Sequence, residues 1–381
     1  MYRRILPLLI IGSITVTYAD SAVQTDWSGG SGVWGPVTSF NTEFYFDSGM
    51  ACYSTSGDLA LGMIDNVVPH NVAWNFEYAE SVYSEDIDGD GDLDILGAAW
   101  GDNEITWWEN LDGSGTDWTA HIIDDYFYHA AWIYSEDIDG DGDMDVLGSS
   151  SSDYGIAWWE NVDGTGTSWT QHTVDDDFNG CRSVYLEDID DDGDLDVLGV
   201  SYSRNEIAWW ENTDGTGTFW IKHVVCSDAI SPMSVYAEDI DGDGDMDVIG
   251  DRGDSVNWWE NITGSGVLWL KHLVGSDFDD PECVYAEDID GDGDMDILGA
   301  ADNAVYDDIS WWENADGTGT SWVKHIVHGY FFLGANSVYS ADMDNDGDMD
   351  ILGSSSYECE IDWFENLNGS GTSWEVHVVD G

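Results

Sequence analysis

Short apolar runs rich in Val, Ile, Tyr and Trp recur along the chain, each bounded by Asp, Gly, Asn or Ser. In the first clear unit, residues 81–85 precede an aspartate-rich stretch and Asp94-Ile95-Leu96-Gly97 follows it. Residues 104–110 then lead to the turn Asp112-Gly113-Ser114-Gly115, and 118–123 close the unit. Asp-Gly between aromatic-rich runs is a strong hairpin signal. No segment sustains a helical period, and three of the five prolines precede the first aspartate stretch. The pattern predicts four short strands per unit in an all-β chain.

The unit repeats. First aspartates of the acidic stretches fall at Asp86, Asp137, Asp188, Asp239, Asp288 and Asp342, in steps of 51, 51, 51, 49 and 54 residues. Trp107-Trp108-Glu109-Asn110 recurs in phase from Trp158, Trp209, Trp258 and Trp311, and as Trp363-Phe364-Glu365-Asn366. A histidine follows each, at His121, His172, His223, His272, His325 and His377. Four strands in about 50 residues is the size of one β-propeller blade. The tryptophan pairs favour that geometry over a one-sided sheet. Adjacent strand residues face opposite ways, so both faces of every blade must be covered. On this reading the pairs fill cores rather than stack on sugars, and the histidines have a structural hydrogen-bonding role.

The expected organisation is a leader over 1–19, a degenerate first blade over 20–81, and six repeats. The repeats span 82–131, 132–182, 183–233, 234–283, 284–337 and 338–381. His70 lies 51 residues before His121, which marks residues 67–72 as the last strand of the degenerate blade. The expected count is seven four-stranded blades, with six as the alternative. Met1-Tyr2-Arg3-Arg4, an apolar run over 5–16 and Thr17-Tyr18-Ala19 have the layout of a secretory signal peptide cut near Ala19. The expected location is therefore extracellular or at the cell surface, without membrane insertion.

The acidic stretches carry the chemistry. Asp86-Ile87-Asp88-Gly89-Asp90-Gly91-Asp92-Leu93-Asp94 places carboxylates at positions 1, 3, 5, 7 and 9 with glycine at 6. The other loops present Asp137, Asp139, Asp141, Asp143 and Asp145; Asp188, Asp190, Asp192, Asp194 and Asp196; and Asp239, Asp241, Asp243, Asp245 and Asp247. Asp288, Asp290, Asp292, Asp294 and Asp296, then Asp342, Asp344, Asp346, Asp348 and Asp350, complete the set. Ca²⁺ takes six to eight oxygens, and alternation lets one tight loop aim several of them inward. Positions 1, 3, 5 and 9 are expected to give side-chain oxygens and position 7 its carbonyl. About six structural Ca²⁺ ions follow, one per loop. Position 12 is Gly97, where an EF-hand needs a bidentate Glu, and the flanks are strands.

The nine-residue loop followed by Ile-Leu-Gly-Ala-Ala at 95–99 and 297–301 resembles the FG-GAP and VCBS repeats of bacterial surface proteins, with the integrin α-subunit propeller as a distant relative. The resemblance implies a seven-bladed propeller with calcium between the first two strands of a blade. Two departures stand out: Val82-Tyr83 replaces the Phe-Gly of the motif, and the first expected blade has no loop.

Charge narrows the function. The formal net charge is −71, and loss of the leader would leave six basic against 79 acidic residues. Such a surface repels nucleic acid and anionic membranes. The 22 Trp, 18 Tyr and 11 Phe exclude a disordered acidic chain. Cys52, Cys181, Cys226, Cys283 and Cys359 follow no repeat phase and no disulfide or zinc spacing. No nucleophile elbow, zinc-protease helix or phosphate loop occurs, so no enzyme is expected. Asn261-Ile262-Thr263 and Asn368-Gly369-Ser370 match glycosylation sequons but also occupy turns. The leading expectation is a non-enzymatic adhesion module binding a protein or glycan at a cell surface. Its contacts would come from the repeat-breaking segments 99–103, 150–154, 202–205, 301–308 and 354–358. A lectin-like propeller and an accessory domain of a polysaccharide-degrading enzyme are the alternatives.

Overall fold

The computed structural model describes residues 10–14, 72 and 76–380, apart from 153–154, 303–307, 330–331, 333 and 358–359. Its regular elements are all β-strands. Six consecutive sheets, each with four strands in sequence order, form the blades of a propeller, and the sheet of blade 1 carries Ile10–Ile14 as a fifth strand. Blade 1 comprises Ala79–Glu85, Asp94–Ala99, Glu104–Asn110 and Trp118–Asp124. The others occupy 130–175, 181–226, 235–275, 281–329 and 335–380. Inner strands start two or three residues ahead of the expected repeat boundaries in five of the six blades, because pairing with the second strand extends upstream to Ala79, Ala130 or Cys181. The degenerate blade expected over 20–81 lies outside the described residues, except 72 and 76–81.

Pairing within a blade follows the sequence. The inner strand meets the second across the aspartate loop, Glu85 opposite Asp94, and the third meets the outer strand across the Asp-Gly turn, Asn110 opposite Trp118. Aspartate loops and the turns before the outer strands therefore share one end of every blade. The loops after the second strand and the connections to the next blade share the opposite end.

Both tryptophans of each pair are buried, as alternation demands. Trp158, Trp209, Trp258 and Trp311 are fully buried, and their neighbours Trp159, Trp210, Trp259 and Trp312 nearly so. From blade to blade the inner strands stack tyrosines, Tyr83, Tyr134, Tyr185, Tyr236, Tyr285 and Tyr339, with successive ring centroids 4.7–5.2 Å apart. In blades 2, 3 and 5 a phenylalanine of the incoming connection packs edge-on against the second tryptophan, as Phe127 does on Trp159 at 4.9 Å, and in blade 6 Phe332 meets Phe364 in the same way. Phe76 does the same on Trp108 in blade 1.

Two side chains latch neighbouring blades. Trp107 Nε1 donates to Gly166 O of blade 2 (3.1 Å), and Trp158, Trp209, Trp258 and Trp311 repeat the bond to Gly217, Gly266, Gly319 and Gly371. In return, Asn161 Nδ2 donates to Ile87 O in the preceding aspartate loop (3.0 Å), and Asn212, Asn261, Asn314 and Asn366 do likewise. The seam between blades 6 and 1 differs. Asn110 Nδ2 donates to Leu93 O of its own blade, and Trp363 Nε1 makes no bond to a neighbour but leans on Asp350 of its own blade. Residues 10–14, within the expected leader, lie antiparallel on the inner strand of blade 1 at this seam.

Candidate metal loops

Each loop closes on its own carboxylates. In loop 1, Gly91 N donates to Asp86 Oδ2 (3.0 Å), Asp90 N to Asp88 Oδ1 (3.1 Å) and Asp92 N to Asp90 Oδ1 (2.9 Å). Asp94, at the start of the second strand, accepts Ile87 N and Asn110 N. These bonds aim positions 1 and 3 inward while positions 5 and 9 anchor the turn. Position 6 requires a left-handed backbone, with φ of +96° at Gly91 and +98° at Gly193, which glycine adopts without strain.

Carboxylate oxygens converge within 4.8 Å in every internal loop. The groups are Asp86, Asp88 and Asp90; Asp137, Asp139 and Asp145; Asp188, Asp190 and Asp196; Asp239, Asp241 and Asp247; and Asp288, Asp290 and Asp296, with one further group. Such clusters can hold metal ions. One carboxylate oxygen per loop is also buried without any hydrogen-bond donor: Oδ1 of Asp86, Asp137, Asp190, Asp239, Asp288 and Asp342. A buried acceptor left unpaired costs about 1–3 kcal/mol, more if charged, and a cation satisfies it.

Burial works in the same direction. It pushes Asp94 and Asp145 up to about 7 and Asp196, Asp247 and Asp296 up to about 8, against the partly compensating backbone donors. Asp88, Asp139, Asp241, Asp290 and Asp344 are raised by burial and by neighbouring aspartates. Asp190 rises to about 6 for the same reasons. Carboxylates so placed lack a counter-charge, which a divalent ion would supply.

Position 7 is not brought into the cluster. Asp92, Asp143, Asp194, Asp245, Asp294 and Asp348 tuck their carboxylates beneath the glycine of the turn between the third and outer strands, where a Cβ on Gly113 would sit 2.4 Å from Asp92 Oδ2. Position 5 residues are exposed, and Asp141, Asp192, Asp243 and Asp292 stay outside the three-residue groups of their loops.

Several contributors escaped the sequence reading. The asparagine after each tryptophan pair ties three things at once: Asn161 reaches Ile87 O, Met144 O of its own loop, and Gly166 N through its Oδ1. Its sixfold recurrence was the available signal. The glutamate before it bonds the repeating histidine, Glu109 Oε2 to His121 Nε2 at 2.8 Å, and that imidazole stacks on Trp107 at 4.6 Å. The Asn261 sequon is occupied structurally, since its amide is spent on Ile189 O, Met246 O and Gly266 N. Cys181, Cys226 and Cys283 are buried free thiols.

Comparison with known proteins agrees with this architecture. A family model described as FG-GAP-like repeat matches residues 86–148, 137–199, 188–250 and 288–353. No curated protein matches the chain. Among solved structures, an Agrocybe aegerita lectin, described as recognising non-reducing terminal N-acetylglucosamine, is 21% identical over 78% of this chain and 79% of its own, with a TM-score of 0.55. A protein from Lactobacillus plantarum is 6% identical over 77% and 82%, with a TM-score of 0.52. At these identities the likenesses show the fold alone.

Proposed function

The chain belongs to the FG-GAP-like repeat family, and from that premise we propose that it is an exported, non-enzymatic calcium-binding propeller that presents loops to a surface partner. The observation that carries the metal reading is the donor-less buried carboxylate oxygen in each of the six loops. Calcium suits an all-oxygen donor set in a flexible loop better than magnesium, which demands tight octahedral geometry. Positions 1, 3 and 9 would hold the ion with position 5, and position 7 would offer its carbonyl because its side chain is engaged elsewhere.

Bound calcium would neutralise crowded carboxylates and fix each loop. A fixed loop in turn presents its Ile carbonyl to the next blade's asparagine, as Ile87 does to Asn161. The ion's role is therefore structural, locking blade to blade. At a hundredfold excess over its dissociation constant each ion adds about 2.7 kcal/mol of stability. Calorimetric titration of chelator-stripped protein should register about six calcium ions, and Asp239→Asn with Asp247→Asn should remove one. Absence of calcium uptake by folded protein would overturn the reading.

The end of the blades opposite the metal loops carries the segments that break the repeat, and these supply the partner contacts. A second reading, calcium-dependent glycan binding, draws on the lectin that shares this fold. A glycan array separates the two: a specific calcium-dependent signal favours the lectin, and silence favours a protein partner. Export rests on the leader-like residues 1–19, and secretion of a reporter fused to them would test it.

A further inference from the structure

On the face opposite the aspartate loops, the connection into every blade's inner strand holds a residue in the left-handed region: Tyr78, His129, Gly180, Ser231, Asp280 and Gly334, with φ between +51° and +77°. In five blades the residue following the second strand donates its N–H to that residue's carbonyl, as Trp100 does to Tyr78 and Tyr202 does to Gly180. Glycine meets this demand freely, whereas a side chain there costs about 1–2 kcal/mol. Blades 1 and 2 nonetheless place bulky rings, Tyr78 and His129, at the strained position. Both rings converge on Trp100. The His129 imidazole lies parallel to the indole at 4.2 Å, and Tyr78 meets it edge-on at 5.9 Å. Asn103 Oδ1 accepts His129 N and so pins one blade's entry over the other blade's loop. Trp100 remains 38% exposed and Tyr78 46%, which is unusual for aromatics held in place at a cost in strain.

Blade 3 shows what a single ring at Trp100's position accepts. Tyr202 occupies the place of Trp100, and the Arg182 guanidinium lies over its ring at 6.0 Å. At Arg182's register in blade 1 stands Glu80, of opposite charge, and the chain has no Lys or Arg between Arg4 and Arg182. The Trp100 platform thus has the aromatic half of a cation–π site, with Glu80 in place of the arginine and no Lys or Arg of its own chain nearby in sequence.

We propose that the Trp100–His129–Tyr78 platform at the seam of blades 1 and 2 binds a guanidinium or ammonium side chain presented by a basic protein partner. This deepens the protein-partner reading above and is independent of the metal reading. The charge of −71 would steer such a partner in, and the ring faces would hold its cationic tip.

The test follows indole N–H resonances of calcium-loaded protein during addition of a capped Ala-Arg-Ala peptide. The Trp100 resonance is identified as the one missing in Trp100→Leu. It should shift saturably with the arginine peptide, and the citrulline counterpart should bind about tenfold more weakly. Tyr202→Ala should leave this shift unchanged. Glu80→Arg, which copies the blade 3 arrangement, should abolish it while keeping calcium uptake intact, so a misfolded Trp100 variant does not decide the matter. Equal shifts with citrulline, no saturable shift, or a Trp100 response to N-acetylglucosamine in place of arginine would each overturn the proposal. Loss of calcium uptake in wild type would instead count against the metal reading alone.

Discussion

Five seams between blades are built alike and one is not. At each internal seam a tryptophan donates forward to a turn glycine and an asparagine donates back to an aspartate loop, as Trp158 to Gly217 and Asn212 to Ile138 do between blades 2 and 3. Where blade 6 meets blade 1, Trp363 and Asn110 make neither bond across the seam. The glycines record the same contrast. A Cβ on Gly217 would lie 2.5 Å from the Trp158 ring, yet one on Gly115 would meet only its own blade's Trp118, at 3.6 Å. The closing seam also has its own small core of Val82, Leu352, Ile361 and Trp363, separate from the main core that runs through the blades. Near-identical repeats specify how one blade follows another, and they leave the closing contact to whatever lies at the ends of the array.

Glycine substitutions should widen this contrast most. Gly217→Ala and Gly115→Ala both place a side chain at positive φ, at +63° and +71°, so that cost of about 1 kcal/mol is common to both. Only Gly217→Ala also drives a methyl into a buried indole, at about 1–3 kcal/mol more. Denaturant melts should show Gly217→Ala as the worse by that margin, and equal losses would break the comparison.

Asparagine truncation comes next. Asn212→Ala strands Ile138 O, Leu195 O and Gly217 N in a buried seam. Asn110→Ala strands only Leu93 O and Gly115 N, both partly exposed to water. The expected difference is about 1–2 kcal/mol in the same melts. Trp209→Phe against Trp363→Phe is the finest test of the three. The first loses the bond to Gly266 O and the second loses no bond between blades, for a difference of about 1 kcal/mol.

How much of this was legible depended on sequence distance. The aspartate loops are local: nine consecutive residues carry their own alternation and turn glycine, so Asp86 to Asp94 could be read directly. The tryptophan pairs were legible through strand alternation. The asparagine latch was not, because Asn161 and Ile87 stand 74 residues apart and nothing in either segment names the other. The turning away of Asp92 toward Gly113 was hidden for a related reason, since it depends on two hairpins folding side by side at one blade end. The Trp100 platform joins residues of two blades and breaks the repeat, so periodicity, the strongest guide to this chain, was silent about it.

Acidity should move both classes of seam together, so it changes the contrast between them least. Folding raises Asp94 and Asp145 to about 7 and Asp196, Asp247 and Asp296 to about 8, from an unfolded value of about 3.9. The folded state therefore binds more protons than the unfolded one between roughly pH 4 and 8, and metal-free protein should lose stability as pH rises through that window. Calcium should invert the trend, because it binds the deprotonated loop. Calorimetric scans across that range in chelator and in calcium would show opposite slopes. Parallel slopes would contradict the assignment.

Everything in the comparison assumes that the loops presenting Ile87 and its counterparts are held by metal. A melt of the purified chain at neutral pH, once in calcium and once in chelator, tests this most directly. A large fall in melting temperature on chelation, restored by calcium and not by magnesium, is the predicted result. An identical melt in both conditions, with no metal found in the purified protein, would contradict it.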